Sequence, residues 1–311
     1  MIREFLAKTA FREWELKELS GDASFRKYYR LSSGDKSAIL MDSSSELDSL
    51  KAFLKVHKKL ECAGVCVSKI YAKDESLGFL VHEDFGTTHY LDVLNGANFM
   101  ALYEKAIDVI VQMQQASASD LPLYDKAFLH KEMDLMEEWY IKGLLKKELS
   151  SEQQNTIKAS LEAISKVVLA QPQSFFVHRD FHSRNIMLKS DGSLGVIDFQ
   201  DAMNGAITYD LVSLLKDCYI AFDRVRIEKL VLSFRDKLLP YVDDDTMIKW
   251  FDFMGLQRHI KVLGVFSRLY LRDKKDGYLK DIPQTLEYVL DSASRYEQTR
   301  ELALLLKELS I

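Results

Sequence analysis

Cysteine is scarce in this chain, and long apolar runs, basic blocks and repeats are missing from it. Three cysteines, Cys62, Cys66 and Cys218, stand among 311 residues. So odd and sparse a set builds no disulfide framework and points to a reducing compartment. "CAGVC" lacks the C-x-x-C spacing of a ligand pair, and no His/Cys pair follows nearby, so these residues read as buried thiols. The N-terminal "MIREFLAKTAFREWELKEL" breaks its apolar residues with charges throughout, which excludes a signal peptide or a membrane span there. A cytoplasmic protein that does not engage membranes is expected. The net charge is −5, and without a long basic block nucleic acid is excluded as a partner. What is present is ordinary for a globular chain, 47% hydrophobic and 29% charged residues. The length allows two domains or one two-lobed unit, with a core large enough to need no staples.

Residues 1–19 read as an amphipathic helix. "FRKYYRLSS" and "KSAILMD" read as strands joined at "SGD", a good hairpin turn. A helix is expected from Glu46 to Cys62, where Leu47, Leu50, Phe53, Leu54 and Leu60 recur near helical spacing. "VSKIYAKD" and "GFLVHEDFG" form a second strand pair. Beyond that point the strand signal almost vanishes. Helical periodicity runs through 98–116, 128–148, 152–170, 208–222, 224–238 and 244–271, and only 174–201 interrupts it with short β-like runs. The pattern is a small β-rich lobe followed by a large, mainly helical one, with a seam near Glu83–Thr88.

The densest chemistry lies in "FVHRDFHSRNIML", Phe176 to Leu188. Apolar runs on either side read as strands, so the polar residues occupy a tight loop. Asp180 and Asn185 are five apart, and Asp198 follows thirteen later at the end of the apolar run "LGVID". Two carboxylates and an amide oxygen make an oxygen-rich set that suits hard Mg²⁺, an ion held by few protein ligands together with substrate phosphates.

H-R-D-x-x-x-x-N followed by D-F resembles the kinase signature. No A-P-E follows, and the short segment after Asp198 resembles the aminoglycoside and choline kinase branch more than protein kinases. "GDASFRKYYRL", "HRDFHSRNIM", "VIDFQDAMNGAITYDLVSLLKDCY" and "GLQRHIKVLGVFSRLYLRD" are similar to the bacterial cell-wall amino-sugar kinases, from Gly21 to about Tyr288. That family phosphorylates the anomeric hydroxyl of N-acetylmuramate and N-acetylglucosamine in peptidoglycan recycling. The resemblance implies an α+β, bilobal, protein-kinase-like fold, with residues 1–86 as a nucleotide-binding N-lobe. Residues 87–311 would be a C-lobe carrying the catalytic loop and the acceptor site. It also implies ATP and Mg²⁺ as cofactors and a small sugar as acceptor, with no obligate protein partner.

By the same resemblance Asp180 is the catalytic base, and Asn185 and Asp198 hold the metal. His178 anchors the loop, and Asp210 caps a helix or does the same. Ser24, Phe25, Arg26 and Lys27 form the phosphate-covering turn, which is not G-x-G-x-x-G. Glu83 and Phe85 present backbone groups to adenine. On the acceptor side stand Gln257, Arg258 and Lys261, whose alternative reading is an exposed basic face. Asp201, three beyond Asp198, is a candidate to reach metal or sugar, or is a solvated loop carboxylate. The departure is "AILM": Met41 stands where the third strand of a kinase carries its phosphate-binding lysine. Arg26, Lys27 or Arg30 would then supply the cation. Alternatives are a kinase for an aminoglycoside, choline or homoserine, or a non-catalytic nucleotide-binding pseudokinase. An aminoglycoside, being polycationic, calls for an acidic groove, whereas "GLQRHIKVLGVFSRLYLRDKK" is basic.

Overall fold

The computed structural model describes residues 1–19 and 26–310. In chain order its elements begin with α1 (Ile2–Leu6), β1 (Glu15–Leu19), β2 (Lys27–Ser33), β3 (Lys36–Asp42), α2 (Leu47–Cys62), β4 (Ile70–Asp74), β5 (Phe79–Glu83) and α3 (Tyr90–Val93). There follow α4 (Phe99–Met113), α5 (Lys126–Met133), a wide π-helical stretch Met136–Leu144, and α6 (Ser151–Ala170). Short strands β6 (Phe175–Val177), β7 (Ile186–Leu188), β8 (Leu194–Val196) and β9 (Met203–Gly205) come next. The chain ends in α7 (Tyr209–Leu215), α8 (Arg224–Leu238), α9 (Asp244–Leu271), a 3₁₀ turn Asp276–Asp281, α10 (Ile282–Ser294) and α11 (Glu297–Leu309). Among the described residues no helix is long and apolar enough to cross a membrane.

Two compact units result. The first comprises Met1–Val93 together with Arg184–Ala202. Its antiparallel sheet has the order β1-β2-β3-β5-β4. The β2–β3 hairpin turns at Gly34, whose φ of +57° is the left-handed conformation that glycine tolerates best. β3 is central and apolar on both faces. Ala38 and Leu40 join Phe5, Leu6, Phe11, Leu31, Phe79 and Val81 in one core, while Ile39 and Met41 are buried on the opposite face. That core explains a correction to the N-terminus. Residues 1–19 are not one helix, because Leu16 pairs with Leu31 across the sheet and β1 takes the last five of them. Pairing at the sheet edge outweighs helical spacing. The hairpin β7–β8 belongs to this unit because Leu188 N–H donates to Thr88 O (2.9 Å) and Val196 N–H to Cys66 O (2.9 Å). The packing boundary thus departs from a single cut in sequence.

The second unit comprises Leu94–Ser183 and Met203–Ile311. Its centre is α9, whose start is capped by the Asp243 carboxylate accepting from Thr246 N–H at 2.8 Å. From Phe251 to Gly264 every residue of α9 is buried. The expected helix 128–148 is split here. Gly264 comes so close to the backbone of Leu135 that a Cβ would sit 2.4 Å from its carbonyl carbon. Beyond this contact the turn widens, with Leu145 N–H reaching Tyr140 O. The expected helix 208–222 stops at Leu215, because Asp217 leaves it to accept from Tyr219 N–H (2.9 Å) and from a loop described below. α10 and α11 lie beyond the last helix that periodicity reveals.

Candidate active site

In the second unit, β6 delivers the polar loop His178–Ser183. β6 pairs with β9, so the loop leaves from a fixed edge. Two buried carboxylates pin it. Asp210, in the first turn of α7, accepts from His178 N–H at 2.7 Å and Arg179 N–H at 3.0 Å. Asp217 accepts from Ser183 N–H (2.9 Å) and Ser183 Oγ (2.5 Å). His178 is buried, and its Nδ1 accepts from Asp180 N–H at 3.3 Å. The Arg179 carbonyl receives Arg258 Nη1 (2.7 Å) and Ser213 Oγ (3.2 Å). So many anchors hold Arg179 at φ +79°, a left-handed conformation costly to a side-chain-bearing residue and typical of functional loops. Asp210 is used for anchoring, and its burial pushes its pKa up to about 6 despite the two N–H donors.

Asp180 keeps 43% of its side chain exposed, and Arg258 Nη1 stands 3.6 Å from its Oδ1. Burial of its surroundings works to raise its pKa, but Lys261, Arg258, His182 and Arg179 drive it well below the usual carboxylate range. Gln257, Arg258 and Lys261 are not an exposed basic face. All three are buried, because α9 is packed on every side. Gln257 and Lys261 share a neighbour, Glu132 of α5. Its carboxylate receives Arg179 Nη2 (2.6 Å), Lys261 Nζ (2.9 Å), Gln257 Nε2 (3.3 Å) and the Tyr124 hydroxyl. Burial alone would raise the pKa of Glu132, yet Lys261 and Arg179 bring it down to about 2. Lys261 also donates to the Tyr209 hydroxyl at 3.3 Å.

In the first unit, Asn185 and Asp198 are brought together, Asn185 Nδ2 lying 3.4 Å from Asp198 Oδ2. Ile197 N–H donates to Asn185 O (3.2 Å), tying the two segments. Asp198 has φ +64°, a second strained residue at a motif position. Phe199 behind it is buried and stacks on Phe53 of α2 at 4.8 Å. Gln200 Nε2 donates to Asp198 Oδ1 (2.9 Å) and lies 3.4 Å from exposed Asp201. An amide and a carboxylate side by side fit a hard cation completed by phosphate oxygens and water.

Arg26 is buried, its Nη2 3.8 Å from Asp198 Oδ1, whereas Lys27 is exposed at the start of β2. Ser24 and Phe25 lie outside the described residues. Glu83 closes β5; its N–H donates to Lys69 O (2.8 Å), and its carboxylate pairs with Lys189 at 2.9 Å. The Phe85 ring lies so close to Gly195 that a Cβ there would meet it at 2.5 Å, and Lys189 Nζ stands 4.9 Å from its centre.

Glu132, Tyr124, Tyr209, Asp217 and Lys189 escape the sequence reading. For Glu132 there is a signal: it falls beside Leu129 and Met133 on the buried side of α5, where a charge needs partners. Asp217, ending an apolar run, carries a similar one.

The pinned H-R-D loop, the strained Asp198 and the sheet-plus-helices architecture define a kinase-type phosphotransferase. The chain belongs to the phosphotransferase enzyme family (APH), whose model matches residues 15–236. Among its relatives, an N-acetylmuramate/N-acetylglucosamine kinase of Pseudomonas aeruginosa is 38% identical over 95% of this chain and 88% of the relative. One of the same description from Neisseria meningitidis serogroup B is 38% identical over 96% of this chain and 91% of its own length. Among solved structures, ADP-bound aminoglycoside phosphotransferase APH(2'')-Ib shares the fold, with TM-score 0.60 and 18% identity over 88% of this chain and 92% of that one.

Proposed function

We propose that this protein transfers the terminal phosphoryl group of ATP to the anomeric hydroxyl of N-acetylmuramate or N-acetylglucosamine, in the cytoplasm, as a step of peptidoglycan recycling. The observation that carries this reading is the 38% identity, over nearly the whole chain, to enzymes named for those two sugars. Asp180 orients the sugar hydroxyl and accepts its proton. A carboxylate held well below its usual range is a weak base, and that suffices, since phosphoryl transfer relies mainly on positioning and charge neutralisation. Arg258, beside Asp180, and Lys261, held on Glu132, carry charge that suits the lactyl carboxylate of N-acetylmuramate, and Gln257 is the candidate for a hydroxyl or the acetamide. Asp201 is a further acceptor-side candidate. Asn185 and Asp198 would hold Mg²⁺, which neutralises and draws together the nucleotide phosphates when bound. The Glu83 carbonyl and Phe85 N–H would meet adenine.

Incubation with ATP, Mg²⁺ and a panel of acceptors tests the proposal, with phosphorus NMR locating the new ester. A sugar 1-phosphate from N-acetylmuramate or N-acetylglucosamine is the expected product. Preferred transfer to an aminoglycoside, choline or homoserine would replace the acceptor assignment. Transfer to none of them, with nucleotide bound, would make the protein a non-catalytic nucleotide binder.

A further inference from the structure

Met41 leaves a gap in the chemistry. It occupies the β3 position at which a kinase carries a phosphate-binding lysine, and it is wholly buried. Nucleotide phosphates still need a cation, because several negative charges must be brought beside the carboxylate of Asp198. The first hairpin offers three. Arg30 is committed elsewhere: its Nε meets Asp84 Oδ2 at 2.7 Å, and its Nη2 reaches Asp84 Oδ1 and Gly86 O, each at 3.2 Å. Lys27 is exposed and lies on the alternate face of β2. Arg26 differs from both. Tyr28 stands directly opposite Met41 in the β2–β3 register, so the two side chains share a face of the sheet. Arg26 lies just ahead of β2, two residues before Tyr28. Its side chain is only 9% exposed, and its guanidinium reaches to 3.8 Å from Asp198 Oδ1. Tyr28 feels both groups: burial raises its pKa, with Arg26 opposing that shift and Asp198 adding to it.

We infer that Arg26 has taken over the work of the absent third-strand lysine, positioning Asp198 and binding the phosphates of the nucleotide from one strand away. The lysine's charge is delivered instead by a longer side chain from the residue just before the neighbouring strand. A guanidinium suits the exchange, because its planar fork can serve a carboxylate and a phosphate together, where an ammonium acts as a point charge. This inference rests on the proposed use of ATP and deepens it.

Calorimetric titration of Arg26→Ala and Arg26→Gln with adenosine, ADP and ATP–Mg²⁺ tests it without turnover. Loss of a charged hydrogen bond should weaken ADP and ATP by about 10-fold to 100-fold and leave adenosine within a factor of about two. Arg26→Lys should retain part of the lost affinity. Equal weakening of adenosine and ADP in both variants would make Arg26 a structural residue and overturn the inference, as would undiminished ADP affinity. Failure of the unaltered protein to bind ATP would strike the functional proposal instead, so the two failures can be told apart. Arg26→Gln, close in size and still polar, supplies the comparison should Arg26→Ala fold poorly.

Discussion

The second unit contains two clusters in which a carboxylate lies among cations, and they are built to different ends. In one, Asp252 of α9 is fully buried. Its Oδ1 receives Lys216 Nζ (2.9 Å) and Arg224 Nη1 (2.9 Å), and its Oδ2 receives Arg224 Nη2 (2.8 Å) and the Tyr296 hydroxyl (2.9 Å). In the other, Asp180 keeps 43% of its side chain in solvent, with Arg258 at 3.6 Å, beyond hydrogen-bonding distance. Glu132 takes the contacts that Asp252 takes in the first cluster, clamping Lys261 and Arg179 so that their field reaches Asp180. Both aspartates are held ionised, one by contact and the other by field. A carboxylate whose oxygens are filled by neighbours stabilises the fold. One left partly exposed beside its cations keeps a face that a substrate can reach.

Exchanging each carboxylate for its amide should separate the two roles most sharply. Asp180→Asn should lower turnover by about 10²-fold to 10⁴-fold, the usual worth of a general base, with nucleotide affinity little changed. Asp252→Asn should do the reverse. Leaving Lys216 and Arg224 without their counter-charge should cost about 3–5 kcal/mol in urea unfolding, with turnover per folded molecule preserved. Near-normal turnover in Asp180→Asn would remove Asp180 from the chemistry, and an unchanged urea midpoint in Asp252→Asn would dissolve the contrast.

The sequence makes one side of this contrast legible and hides the other. Asp180, Asn185 and Asp198 can be found because a loop between short apolar runs keeps its chemistry close in sequence. The β2–β3 hairpin and helices α2, α6, α8 and α9 are readable from turn chemistry and spacing. Glu132, Tyr124 and Tyr209 reach the Asp180 cluster from three separate segments, and no local pattern records that they meet. Gln257, Arg258 and Lys261 can be placed on α9, but not their burial, since three polar residues near helical spacing look like a solvated face until the packing around α9 is known. Helical spacing in residues 1–19 misleads for the same reason. Their apolar side chains satisfy the core of a sheet whose other strands lie elsewhere in the chain.

Acid should distinguish the buried carboxylates further. Asp252 falls to about 2 in the folded protein because Lys216 and Arg224 overcome the opposing effect of burial; its ordinary value is 3.8. Its contribution is therefore present above about pH 3.8 and lost as pH falls through 2. Asp210 behaves oppositely. Its folded value of about 6 exceeds the ordinary 3.8, so between those values the folded protein keeps a proton that the unfolded chain has released. The stability Asp210 contributes is full below about pH 3.8 and is lost as pH rises through 6. The amount is on the order of 2–3 kcal/mol. Urea unfolding of Asp210→Asn from pH 4 to 7 should lack this decline with rising pH, while Asp252→Asn should retain it. A decline of equal size in Asp210→Asn would assign it to other groups.

The smallest expected effect bears on what the Asp180 cluster recognises. Arg258 has two tasks under the proposal. Its Nη1 supports the Arg179 carbonyl at 2.7 Å, which helps to hold the loop, and its charge faces the acceptor. Arg258→Ala removes both, so a fall in kcat/KM on a single sugar would not separate them. The ratio between two sugars does. Loop support is needed equally for N-acetylmuramate and N-acetylglucosamine, and its loss cancels in the ratio. Only the first sugar carries a lactyl carboxylate, so only its use should suffer from a missing ionic hydrogen bond, by about 1.5–3 kcal/mol. Arg258→Lys sharpens the measurement. It keeps the charge but lacks the fork, and should leave the preference between those of Arg258→Ala and the unaltered protein. A kcat/KM ratio unmoved in both variants, whatever the loss common to the two sugars, would confine Arg258 to the loop and place recognition of the carboxylate elsewhere.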